Sequence, residues 1–107
     1  MAKELIKVNE NWSVTRCVKE MRTQASEVTR VHSVYVVDND NILLGRLSLK
    51  DLLVADQKTK IKSIYKKNVD HVFDTDTAES VASTMQKYDL GAIPVINKKK
   101  KLLGRIT

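Results

Sequence analysis

Ser48 and Asp51 stand three residues apart in "GRLSLKD" (Gly45–Asp51), directly before the apolar pair Leu52 and Leu53. A hydroxyl followed at that spacing by a carboxylate, ahead of an apolar run, reads as a capping box: the two side chains accept from orphan N–H groups at a helix start. The same groups, if not spent on capping, are open to a ligand. Other chemistry-bearing residues are few. Cys17 is the single cysteine and has no activating neighbour in sequence, so it reads as a small core residue rather than a nucleophile. With His32 and His71 as the only histidines, a Cys/His zinc site lacks ligands. No nucleophile–base pair emerges, and an enzyme is not expected.

The elements that must position Ser48 and Asp51 are legible because the chain states them twice. "VVDNDNILLGRLS" (Val36–Ser48) recurs 59 residues later as "VINKKKKLLGRIT" (Val95–Thr107). Upstream, "WSVTRCVKEM" (Trp12–Met21) recurs 64 residues later as "DTAESVASTM" (Asp76–Met85). Val14, Cys17, Val18 and Met21 in one copy, and Ala78, Val81, Ala82 and Met85 in the other, follow i, i+3, i+4, i+7, the stripe of an α-helix. Ser13 and Thr77 precede the stripes as N-caps. Trp12 reads as a packing residue at the helix entrance. The change of offset puts five extra residues into the first copy, within Arg22–Ser33.

Two short apolar runs, Val34–Val37 and Ile93–Ile96, predict buried strands, each continued through a polar turn into a β-hairpin. Leu5–Val8 and Val69–Phe73 predict a leading strand in each copy, and Ile61, Ile64 and Tyr65 a short helical turn in the connection. Gly45 and Gly104 weaken a strand interior unless backbone or ligand approaches there, and Pro94 suits an edge. The expectation is an α/β (α+β) fold of two β-α-β-β-α repeats, residues 1–66 and 67–107, the second stopping before its last helix. The uncovered hairpin residues Leu102, Leu103 and Ile106 then predict association into a homodimer.

Composition narrows the class. The chain is 42% hydrophobic and 30% charged, a globular balance, and no apolar run approaches a membrane span. It has no signal-peptide pattern at its start, and its cysteine usage fits a reducing compartment. The net charge of +6 permits nucleic acid or anionic partners. Much of the excess sits in Lys98–Lys101, the turn slot that the first copy fills with Asn39–Ile42, and it reads as solvent-facing variation. No aromatic residue lies nearby to stack a base, so a nucleic-acid partner is not expected.

The duplicated unit, with Gly45, Ser48 and Asp51 meeting G-x-x-[ST]-x-x-[DN] after a hairpin and Gly104 and Thr107 repeating its start, resembles a tandem cystathionine-β-synthase (CBS) domain pair. "SLKDLLVAD" and "YDLGAIPVIN" (Tyr88–Asn97) further resemble the cytosolic CBS region of MgtE-type magnesium transporters. That resemblance implies a regulatory module on the cytoplasmic face of a membrane, partnered by the remaining transporter domains, not itself inserted in the bilayer. It would sense Mg²⁺, and ATP or another adenine nucleotide, to gate a pore. It implies a nucleotide cleft built from Ser33, Val34, Ser48, Lys50, Asp51, Leu90 and Ile93: apolar atoms against the base, Asp51 on ribose hydroxyls, Ser48 and Lys50 toward phosphate. It implies Asp89 as one carboxylate of an incomplete Mg²⁺ site. The alternatives are a nucleotide-binding CBS accessory module of a cytosolic enzyme and, more distantly, a basic RNA-binding domain.

Overall fold

The computed structural model describes residues 5–25 and 34–107. The first copy runs β1 (Ile6–Asn9), α1 (Val14–Ala25), β2 (Val34–Val37), β3 (Leu43–Leu47) and α2 (Leu49–Val54). A 3₁₀ turn (Ile61–Ser63) and β4 (Lys66–Lys67) follow. The second copy runs β5 (Val72–Phe73), α3 (Ala78–Lys87), β6 (Ile93–Ile96) and β7 (Leu102–Ile106). The sheets have orders β1-β2-β3-β4 and β5-β6-β7, with β1 and β5 parallel to the strand beside them and the hairpins antiparallel.

Both periodic stripes fold as helices, but on α3 Ala78 and Ala82 of the expected stripe are exposed, being too small to reach the core that Val81 and Met85 fill. Val14 and Cys17 are buried on α1, and Val81 on α3. Ser13 Oγ accepts from Arg16 N at 3.2 Å and Thr77 Oγ1 from Ser80 N at 3.1 Å, so both caps form. At α2 the expected capping box does not close. Ser48 has extended backbone at the N-cap, but its hydroxyl makes no capping bond. Trp12 packs half-buried against the first core, with the Arg16 guanidinium 4.8 Å from its ring centroid.

The hairpins share one register, residue for residue. Both carry a bulge at the same place, between Val36 and Val37 and between Val95 and Ile96. In each turn an Asx side chain holds two amides: Asp38 Oδ1 accepts from Asp40 N and Ile42 N, and Asn97 Oδ1 from Lys99 N and Lys101 N. The third turn residue is left-handed in both, Asn41 at φ 64° and Lys100 at φ 66°. The two turns then bond each other reciprocally, Leu43 N to Lys100 O and Leu102 N to Asn41 O, both at 3.0 Å. The two copies are thus latched at their tips.

Three differences from the sequence expectation have physical causes. The strand expected over Val69–Phe73 is only Val72–Phe73, since the connection just before it, Lys66–Lys67, is held on β3 of the first sheet and the chain must cross between the sheets over residues 68–71. That pairing explains Gly45: a Cβ there would overlap the Lys66 carbonyl oxygen and lie 2.7 Å from the Tyr65 ring. Leu102 is buried at 5% exposure, in a cluster with Tyr35 and Val37 between the copies, and Leu103 and Ile106 are half-buried. They form no open apolar patch. Among the described residues, the large apolar side chains left exposed are Leu49, Leu53 and Val54 on α2, with Phe73 and Tyr88. Pro94 lies in a central strand, yet β5 begins only opposite Val95. Ile96 O faces β5, where it accepts from Asp74 N, so Pro94, two residues earlier, turns its imide nitrogen to the same side at a point β5 does not reach.

Candidate functional site

Between the two copies, at the end of the strands away from the latched turns, lies a cavity of about 230 Å³. One wall is a row across three strands. Tyr35 of β2 is register partner to Arg46 of β3, and Arg46 to Lys66 of β4. Residues paired this way share a face, so an aromatic ring, a guanidinium and an ammonium stand side by side. Lys67, Asn68, Val69 and Asp70 extend this wall along the connection into the second copy. The facing wall is Leu90, Ala92 and Pro94. Like charges placed directly opposite each other on neighbouring strands repel, and an anion between Arg46, Lys66 and Lys67 would relieve that repulsion.

Leu90 reaches the cavity through the way α3 ends. Tyr88 is the C-cap, Asp89 follows at φ 52°, and Leu90 N donates back to Met85 O at 2.9 Å while Asp89 N donates to Gln86 O at 3.3 Å. This is a Schellman motif, with Met85 and Leu90 both packed against the second core. Asp89 therefore occupies a left-handed position that suits glycine or asparagine, and its negative charge sits at the negative end of the helix dipole.

Of the positions expected to form a nucleotide cleft, the structure places Leu90 in the cavity lining. Val34 and Ile93 are buried at 1% and 0% exposure in two separate cores. Ser48 and Asp51 are half-buried and Lys50 exposed at the start of α2. Asp51 has no hydrogen-bond or ion-pair partner among the described residues. Ser33 and His32 lie outside the described residues. Asp89 is exposed, and among the described residues no three His, Cys, Asp or Glu side chains come together to hold a metal.

Sequence reasoning did not single out Arg46, Lys66, Lys67, Asn68, Asp70 or Pro94 as lining residues. The available signal was the repeated "GR" of the hairpins, which duplicates Arg46 as Arg105. The duplicates differ in setting. Arg46 is exposed to the cavity, whereas Arg105 is 4% exposed and its Nε has no partner among the described residues. Lys66 and Lys67 carried no signal, since β4 exists only through pairing with β3.

The CBS domain family model matches residues 1–58 and 61–107. The chain belongs to the CBS domain family. Across its full length it is 34% identical to the magnesium transporter MgtE of Thermus thermophilus and 36% identical to that of Enterococcus faecalis. The chain spans 24% of the length of each. Among solved structures, the cytosolic domain of the Mg²⁺ channel MgtE in complex with ATP matches 98% of this CBS pair at a TM-score of 0.87 and 33% identity, over 42% of that chain. The soluble part of a magnesium transporter matches 98% of it at a TM-score of 0.88 and 36% identity, over 41% of that chain. No helix among the described residues is long and apolar enough to cross a membrane.

Proposed function

We propose that this CBS pair is the regulatory module of a magnesium transporter and takes an adenine nucleotide in the cavity between its two copies. The observation that carries this reading is the Tyr35–Arg46–Lys66 row facing Leu90, Ala92 and Pro94: an apolar slot for a base with cations beside it for phosphates. Its support from outside the chain is the structural likeness to a MgtE cytosolic domain in complex with ATP. Ser48, Lys50 and Asp51 do not line this cavity, so its polar contacts to the nucleotide are assigned to Arg46, Lys66 and Lys67.

The latched turns and the cavity lie at opposite ends of the hairpins, so a ligand gripped by both copies selects one angle between them. A nucleotide that fits that angle better than others shifts the module toward it, which is how a bound ligand biases attached domains. Mg²⁺ is read differently: this chain contributes one carboxylate, Asp89, whereas Mg²⁺ is held through carboxylates together with several waters. Two partners are inferred, the rest of the transporter and a second copy docked through the exposed Leu49, Leu53 and Val54 of α2.

Calorimetry tests the nucleotide site. ATP should bind at least as well as adenosine. A charge-assisted hydrogen bond contributes about 1.5–3 kcal/mol, so folded Arg46→Ala and Lys66→Ala should each bind ATP about tenfold more weakly or worse. No heat with ATP, or wild-type affinity in both variants, would overturn the assignment.

A further inference from the structure

Four consecutive lysines, Lys98–Lys101, form the second hairpin turn, where the first turn has Asn39–Ile42. All four are exposed, and none of their ammonium groups has a partner among the described residues. The turn carries two costs that are smaller in its twin. Neighbouring like charges repel. Lys100 is left-handed at φ 66°, where its counterpart Asn41 belongs to a residue type that tolerates the conformation. Asn41 also donates from Nδ2 to Leu102 O at 2.9 Å, a bond that has no equivalent at Lys100. Asparagine or glycine would make the same turn at lower cost.

The backbone beneath these lysines is fixed all the same. Asn97 Oδ1 holds the amides of Lys99 and Lys101, and Leu43 N holds Lys100 O from the other copy. The side chains project from a preorganised support. Lys98, Lys99 and Lys101 rim an open recess of about 490 Å³ with Asp74, Thr75 and Asn97. Lysine is a compact, freely rotating point charge rather than a planar fork, which suits many phosphates at unfixed positions better than one carboxylate at a fixed one. The recess has no aromatic ring to stack a base, which disfavours nucleic acid.

We propose that the Lys98–Lys101 turn docks on an anionic phospholipid surface. This rests on the reading of the chain as part of a membrane transporter, which brings lipid within reach. Each lysine close to such a surface raises partitioning about fivefold, and the attraction is screened by salt. Asp38 and Asp40 of the first turn and Asp74 at the recess oppose it, so the second turn leads the contact.

Co-sedimentation of the 107-residue chain with phosphatidylcholine vesicles, with and without phosphatidylglycerol, tests the proposal. Binding should require phosphatidylglycerol and fall with salt. The Lys98→Gln/Lys99→Gln/Lys101→Gln variant, whose changes are at exposed positions, should partition about a hundredfold less, and Asp40→Asn more than wild type. Equal binding to neutral vesicles, no binding to either, an unchanged triple variant, or tighter binding to single-stranded RNA at the same salt would overturn it. ATP calorimetry on the same proteins separates the two readings. Failed vesicle binding with intact ATP binding overturns the lipid contact alone. Lysine-dependent vesicle binding without ATP binding overturns the nucleotide site alone.

Discussion

Asp89 shows how much a single position can say once its backbone is known. The sequence offered it as a carboxylate beside a tyrosine; the structure adds a left-handed backbone and a helix C-terminus, both unfavourable to aspartate. Asp89→Gly removes both penalties and should stabilise the chain by about 1 kcal/mol, read as a rise in the denaturation midpoint. With Asp89 exposed and no cluster of three metal-ligating side chains among the described residues, the isolated chain should give no saturable heat with Mg²⁺ at low millimolar concentration. A tight signal abolished by Asp89→Gly would contradict that. Cys17 makes the complementary case. Its burial, expected from the helical stripe, pushes its thiol from the ordinary 9.0 up to about 11. Below pH 9 the thiol is neutral in both folded and unfolded chains and contributes nothing to pH dependence. Between about 9 and 11 the unfolded chain releases the proton and the folded chain keeps it, so stability falls as pH rises. Cys17→Ala should lose less stability than wild type across that window, as measured by urea unfolding at each pH.

At the scale of elements, legibility followed periodicity. The α1 and α3 stripes, their Ser13 and Thr77 caps and both hairpins were readable because local spacing decides them. The start of β4 and the shortening of β5 were not, because two exposed lysines carry no pattern and become a strand only by lying across Gly45. The α2 cap misled for a related reason: S-x-x-D states the chemistry of capping, while the orientation of the Ser48 hydroxyl is settled elsewhere. The same helix turns Leu52 inward and leaves Leu49 at 51%, Leu53 at 84% and Val54 at 77% exposure. Leu49 and Leu53 are one turn apart on the outer face, the surface proposed above for a second copy. Sedimentation should show a dimer at micromolar concentration. Leu53→Glu should give monomers without loss of helix content, since Leu53 contributes little to the core. A wild-type monomer at high micromolar concentration would contradict the assignment.

The whole molecule is a duplication whose two halves are latched at the turns by backbone atoms and packed together through the Tyr35, Val37 and Leu102 cluster. The repeat was legible to the residue, but the latch was not, since Leu43 N to Lys100 O and Leu102 N to Asn41 O depend on no side-chain type. The cavity was half legible for the same reason: Leu90 was expected there, while the cationic wall arises from register across β2, β3 and β4. The proposed nucleotide enters this cavity and sets the angle between the copies, which an amide-resolved NMR titration of the isotope-labelled chain with ATP would register residue by residue. Saturable shifts are expected at Tyr35, Arg46, Lys66, Asn68, Leu90 and Ala92, with smaller changes in the core of α1. Shifts confined to Lys98–Lys101, or no saturable shifts at the cavity residues, would contradict the proposal.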